Sequence, residues 1–456
     1  MSEENESGVG DIVSSVGGLF GGGSSESEGG SGGGTFGGGG GDDDDGGGGT
    51  DSGGREGATA GEVEYKSWFT RLYESIVGVG IGLLLLLVTP VVLFWNEGRA
   101  VQTYKSIEEG RGATVSVAAD KLETGNDGRP VHLVGTATTD AVLKDDLFPV
   151  TADKAVRLAR KVEMYQWVES EEKKKEKQLG GGEKTITVYK YERTWSEKHH
   201  NSSGFKDRKG HENPPPPSFG NKVYNADKVT LGAFTLSANL AKQMDKAEAL
   251  KAEEPKGQTL PKLPEVGKKK VGVSDGGFYY GDPAKTEIGD VRVSFSVVKP
   301  AEVTVIAEQS PGGVLRPYQT KAGDALEDLR YGNMSKEQVF GAMESENAII
   351  TWVLRVVAWI FMCVGIYLIF RPLETVADVI PILGDIIGWG LGLFAFVVSL
   401  ALSTLVIAVA WLFYRPIIGV PLLIVAVALF VVPRFLGGRR EPRQLSPIPL
   451  AKPPGA

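Results

Sequence analysis

The chain has 456 residues, room for two or three domains, and its 57 acidic against 49 basic side chains leave a net charge of -8. With no basic groove interleaved with aromatics, this balance argues against nucleic acid as a partner. The single cysteine, Cys363, excludes an intrachain disulfide and a cysteine-built zinc site. Residues 1–65 are mostly Gly, Ser and acid, as in "GGGSSESEGGSGGGTFGGGGGDDDDGGGG". They offer almost nothing to bury against about 1–2 kcal/mol of backbone ordering entropy per residue, and are expected to be a disordered cytoplasmic tail.

The run 76–95, "IVGVGIGLLLLLVTPVVLFW", is about 30 Å long as a helix and matches one bilayer core. Residues 96–334 are expected to form one β-rich domain, because stretches within them alternate in the period of two that marks half-buried strands. Val156, Leu158, Val162 and Met164 oppose Arg157, Lys161 and Glu163, and Val291, Val293, Phe295 and Val297 share one face. The stretches "SEEKKKEKQLGGGEK" and "NPPPPSFGNK" read as loops or hairpin tips. Ser335 is placed as the N-cap of a connecting helix, 335–351, with Glu337 and Gln338 in its first turn.

Three more spans are expected at 352–370, 393–413 and 417–433, with 372–391 as an interfacial or re-entrant lead-in, because Asp378 and Asp385 interrupt its apolar character. Residues 434–456 form a basic, then Pro-rich, tail. The predicted fold class is an α+β membrane protein. Its four-helix transmembrane region has one N-terminal and three C-terminal spans, and a large β-rich extracytoplasmic domain is inserted between spans 1 and 2. Lys66 and Arg71 before the first span, and Arg434, Arg439, Arg440 and Arg443 after the last, place both termini in the cytoplasm.

On that topology Asn96, Glu97, Arg99, Tyr414 and Arg415 form a polar cluster at the outer mouth of the bundle. Charges at span ends ordinarily mark the interface, where they reach headgroups. The sharper expectation is that Glu97 pairs with Arg415 or Arg99 and orients the domain on its anchor. Within the domain, Glu163, Tyr165 and Trp167 lie on the strand face opposite the apolar stripe, a patch suited to binding or to packing under another layer. His199, His200 and His211, with Asp207 and Glu212 nearby, have no rigid metal-ligand spacing and read as solvated loop residues. No metal, cofactor or catalytic set is assigned. Ser399, Ser403 and Thr404 fit helix packing within the membrane.

The segments "WNEGRAVQTYKSIEEG", "KVEMYQWVE", "GHENP", "GDVRVSFS" with "VTVIA", and "WLFYRP" closely resemble the LUMA, or transmembrane protein 43-like, family. They occur in that family's order, and the resemblance extends from about Trp68 to Phe435. Motif matching also brings Gln166, Asn213, Asp290 and Arg292 into a candidate interaction surface with Glu163, Tyr165, Trp167 and His211. The Gly/Asp tail, Lys-rich loop and four-proline run depart from animal members and suggest a bacterial relative. The resemblance implies a membrane scaffold or organiser, with the bilayer, other membrane proteins and a homo-oligomeric copy as partners. Its expected site is the endoplasmic reticulum or inner nuclear membrane in a eukaryote, and the cell membrane in a bacterium. The competing reading is an enzyme acting on lipids or membrane proteins through the mouth cluster.

Overall fold

The computed structural model describes residues 57–252, 263–421 and 424. Three helices dominate it: α1 (Trp68–Ala113), α2 (Lys336–Ala377) and α3 (Pro381–Tyr414). Between α1 and α2 lies the β-rich region. Six of its strands matter here: β1 (Gly57–Lys66), β2 (Pro130–Thr138), β3 (Arg157–Lys177), β4 (Glu183–Ser196), β5 (Val291–Val298) and β6 (Ala301–Ser310).

β1, β4, β3 and β5 lie side by side in an eight-stranded antiparallel sheet, completed by the short strands Gly277–Tyr280, Val271–Ser274, Lys222–Asn225 and Ala247–Leu250. A seven-stranded sheet is centred on β2 and β6, which pair with Thr304 opposite Val134. β5 and β6 are consecutive in sequence but belong to different sheets, so the turn at Lys299–Pro300 carries the chain from one to the other. Each sheet has its own core. Of the expected stripes, Leu158, Val162 and Met164 meet Val291, Val293, Phe295 and Val297 around Phe148 and Phe278, whereas Val156 packs in the other core. Val131, Leu133, Val303 and Val305 close on Leu231, Phe234 and Leu240 in the second. Alternation produces both, since every second side chain of a strand points to the same face.

The helices seat on the second sheet through Ile107 of α1, Ile306 of β6, Leu326, and Val339 and Phe340 of α2. Ser335 caps α2 as expected: its side chain accepts from the Gln338 backbone, and Gln338 returns a bond to the cap. Further along, α1 and α2 approach closely at Gly82 and Gly365. A Cβ on Gly82 would sit 2.6 Å from the Gly365 carbonyl oxygen. Leu93, Ala358, Met362, Ile366 and Ala395 then pack the three helices together. Ser399 and Ser403 are buried in this bundle, with Ser403 donating to the Met362 sulfur at 3.5 Å, while Thr404 is exposed.

Several expectations are corrected. Among the described residues there are three helices long and apolar enough to cross a membrane, one N-terminal and two C-terminal, not four. Residues 416–421 are helical, but most of the expected span at 417–433 and the tail 434–456 lie outside the described residues. The even-span argument for two cytoplasmic termini falls with that count. Segments expected to be separate are fused: 335–351 and 352–370 run on as α2, and the lead-in at 372–391 splits between the end of α2 and an unbroken α3. Asp378 sits in the turn between them rather than breaking a span. The Lys-rich insertion is the end of a hairpin, one of its two expected forms, but strand continues through Lys177 and leaves a turn of only 178–182 before β4. Its charged side chains find partners across the strands, as Glu172 does in Lys190, and ladder bonds do not require apolar side chains. The acidic tail also ends sooner than expected: residues 57–66 form β1 and pair with β4, while residues 1–56 lie outside the described residues.

Gly82→Val should strain the α1–α2 contact by about 1–3 kcal/mol and lower the thermal midpoint in detergent. Gly80→Val, whose added Cβ would meet nothing within 4 Å, should leave it unchanged. Equal midpoints for both variants would rule out the close approach as a stabilising contact.

Candidate functional site: the polar corner of the bundle

Helical spacing brings Asn96, Glu97 and Arg99 of α1 against Asn347, Thr351 and Arg355 of α2, three residues four apart and so on one face. Glu97 is fully buried. Its carboxylate accepts Arg355 Nε at 2.6 Å and Arg355 Nη2 at 2.8 Å, a two-pronged ion pair. A third donor, Trp411 Nε1 of α3, reaches Oε2 at 2.9 Å. The guanidinium lies 4.7 Å from the centre of the Trp352 ring. One carboxylate thus joins all three helices.

Around it, Asn96 Nδ2 donates to the Thr351 carbonyl at 3.2 Å, and Asn347 Nδ2 to the Ala100 carbonyl at 3.0 Å. Arg99 donates to Asn347 Oδ1 at 3.2 Å and Thr351 Oγ1 at 3.0 Å. Tyr414 covers Gly98 so closely that a Cβ there would lie 2.7 Å from its ring, and it packs 5.1 Å from Phe94. The structure therefore gathers Asn96, Glu97, Arg99 and Tyr414 into one corner. It does not give Glu97 the expected partner: Arg355 takes the place assigned to Arg415 or Arg99. Arg415 closes the last turn of α3 through its backbone N–H to the Trp411 carbonyl. Sequence reasoning passed over Arg355, although a lone guanidinium in an apolar run was the available signal. The Asn347–Thr351–Arg355 spacing pointed the same way.

The second candidate group, in the β-rich region, is largely internal. Trp167 is buried edge-on against His211 at 4.7 Å, and His211 stacks on Tyr191 at 4.0 Å. Asn213 Oδ1 accepts from the Trp167 backbone at 2.7 Å, and its Nδ2 donates to the carbonyls of Trp167 and His200. Gln166, also buried, donates to the Lys198 carbonyl and accepts from the His200 backbone. These residues fasten the loop between β4 and residue 222 onto the sheet. His211 is therefore not the solvated loop residue the sequence implied. Burial, then the bond to Glu169, pushes the Tyr191 hydroxyl up to about 12.

Asp290 is buried and accepts from Lys269 Nζ at 2.5 Å and Tyr279 Oη at 2.9 Å. Arg292 pairs with Glu163 at 2.8 and 3.1 Å and lies 4.6 Å from the centre of the Trp195 ring, which packs on Tyr165 at 5.3 Å. Burial alone would raise the Glu163 pKa, but the Arg292 guanidinium outweighs it and holds the carboxylate below its ordinary value. Among the described residues no group of three or more His, Cys, Asp or Glu is placed to hold a metal ion.

A third polar cluster, not expected from the sequence, lies at the other end of the bundle, where the β3–β4 turn meets the helices. Asp378, fully buried as a side chain, accepts Arg71 Nη2 at 2.5 Å and Lys177 Nζ at 2.8 Å. Lys177 also pairs with Glu374 at 3.1 Å and Asp385 at 2.9 Å. Burial would lower the Lys177 pKa, but the carboxylates of Asp378, Asp385 and Glu374 overcome it and hold the ammonium charged.

Apolar helices knitted by buried polar groups around an inserted β-rich region define a multi-pass integral membrane protein. The sequence comparisons narrow this to one family. The family model "Transmembrane protein 43" matches residues 164–416. Transmembrane protein 43 of Mus musculus is 36% identical over 362 residues, covering 76% of this chain and 87% of the mouse protein. The Homo sapiens protein is 35% identical over 387 residues, with 82% and 92% covered, and the Drosophila melanogaster homolog is 30% identical over 362 residues, with 77% and 92% covered. The chain belongs to the transmembrane protein 43 family. These relatives are animal proteins and give no support to the bacterial source that the tail and loops suggested. No solved structure matches the chain.

Glu97→Gln or Arg355→Gln alone leaves a buried partner uncompensated and should cost about 3–5 kcal/mol, read as a lower unfolding midpoint in detergent. Combining Glu97→Leu with Arg355→Met should recover much of that loss, and Arg415→Ala should have little effect. A large loss for Arg415→Ala with none for Arg355→Gln would contradict the pairing.

Proposed function

We propose that this protein is a membrane-embedded scaffold that organises other membrane proteins, its β-rich domain held rigidly against the helix bundle as a contact surface. The observation that carries the reading is the packed corner. Asn96 and Glu97 are completely buried, the carboxylate is engaged by Arg355 and Trp411, and Tyr414 closes over Gly98. A catalytic carboxylate or guanidinium must meet substrate, whereas these groups meet one another. That arrangement supports a fastening role over the enzymatic alternative. The bilayer and membrane proteins, including further copies of the chain, are its partners on this reading. The family likeness favours the endoplasmic reticulum or inner nuclear envelope. Lys66 and Arg71 favour a cytoplasmic start to α1, with the domain on the opposite face.

Membranes carrying the full chain, cross-linked before solubilisation, should yield assemblies well above the 48.6 kDa single chain. Glu97→Gln should shift that population toward the single chain. Wild-type protein that remains a single chain in membranes, or purified protein that turns over lipid or peptide through Glu97, would overturn the proposal.

A further inference from the structure

The ends of the bundle and the β3–β4 hairpin make incompatible demands on a bilayer. Arg71 and Glu97 on α1 lie about 39 Å apart along the helix, and Arg355 on α2 lies about 35 Å from Asp378, which caps its C-terminus. One polar cluster sits at each end of a slab matching the hydrocarbon core. Apolar side chains face outward along it, including Ile76, Leu84 and Leu87 of α1 and Val356, Ile360 and Val364 of α2. Helices apolar on their outer faces as well as their packed ones belong across a membrane rather than along its surface.

The hairpin nevertheless leaves the sheet core at Met164 and reaches the far end of the slab. Gly181 accepts from Arg71 Nη1 at 2.6 Å, Gly180 donates to the Val379 carbonyl at 3.1 Å, and Lys177 enters the carboxylate cluster. Beside it β1, joined directly to the start of α1, pairs with β4 from Lys66 opposite Glu183 to Gly57 opposite Tyr191. From Met164 to Lys177 the strand spans about 43 Å. Its exposed side chains there include Glu171, Glu172, Lys173, Lys174 and Lys175. Charged strands with open edges cannot share hydrocarbon with lipid, because neither their side chains nor their edge backbone groups would be satisfied.

We propose that the hairpin is a strap whose closure and membrane insertion exclude one another. The closed form has β1 and the hairpin tip on the base of the bundle. When α1, α2 and α3 span a bilayer, β1 stays with the start of α1 on one face and the hairpin remains with its domain on the other. Insertion therefore breaks the β1–β4 ladder, the bonds of Gly181 to Arg71 and of Gly180 to Val379, the Arg71–Glu183 pair and the three Lys177 pairs. The Arg71–Asp378 pair and the bond from Trp68 Nε1 to the Thr375 carbonyl join helix to helix and survive. This rests on the helices spanning a membrane, not on the scaffold reading.

The test places cysteine pairs in the full chain with Cys363→Ser. Glu64→Cys with Thr185→Cys bridges β1 and β4, which are register partners. Lys173→Cys with Thr187→Cys bridges the hairpin itself and reports whether it has folded. Each chain is synthesised cell-free, either without lipid or into phosphatidylcholine vesicles, and carbonate-resistant protein is collected from the latter. The hairpin pair should cross-link in both preparations. The Glu64–Thr185 pair should cross-link without lipid and lose its cross-link after insertion, with a membrane-impermeant thiol reagent reaching only one of the two positions. Persistence of that cross-link in inserted chains would overturn the proposal. So would its absence from both preparations when the hairpin pair forms.

Discussion

The contact on which the helix bundle turns is the buried pair between Glu97 and Arg355, with the Trp411 indole as third donor. A carboxylate removed from water is tolerated only where a charge and hydrogen bonds replace its hydration. Here the replacements come from the two other long helices, so burying Glu97 requires all three to be in register. A buried pair contributes little net stability compared with apolar packing, but breaking it by removing one partner leaves an uncompensated buried charge. Leu93, Met362 and Ile366 would tolerate a modest slide along the helices. The two-pronged geometry of Arg355 does not.

From that register the rest of the architecture follows outward. Ile107 and Phe340 are carried beyond the polar corner on the same two helices and meet Ile306 and Leu326 of the β-rich region, so the fastening is continuous from bundle to sheet. The two sheets then share the chain at Lys299–Pro300 and keep separate cores. Above the larger sheet, the loop after β4 is held by His211, Asn213 and Gln166. The family-like motif residues on both sides of the corner thus act mainly on one another.

The hairpin sets two physical demands against each other. Its tip finds well-paired partners in Arg71, Asp378 and Glu374, yet the helices that carry those partners are covered in apolar side chains that only lipid or other helices can satisfy. Lys177 is a quarter exposed and Asp378 keeps Arg71 when the strap leaves, so release does not strip this buried carboxylate of its last cation. Moving an apolar span out of water, by contrast, is strongly favourable. On that balance the bilayer wins and the strap yields.

The amino-acid sequence by itself determined the elements whose cause is local. Apolar runs made the membrane-length parts of α1, α2 and α3, although α1 continues as helix through the polar residues 96–113 that were expected in the β-rich region; period-two alternation made β5, β6 and the first half of β3; Ser335 with Gln338 capped α2. The polar corner was legible as a location, because Asn96, Glu97 and Arg99 end an apolar run. Its wiring was not. Glu97 and Arg355 are 258 residues apart, and nothing in either neighbourhood records which distant face will arrive opposite it. Likewise, no local pattern distinguishes a solvated histidine from His211 between Trp167 and Tyr191, or a Lys-rich loop from a strand that a Thr- and Tyr-bearing neighbour will pair with. Periodicity is a property of neighbours along the chain and survives in the sequence. Partner choice belongs to surfaces that exist only after the chain has folded, and the tertiary structure alone decided it.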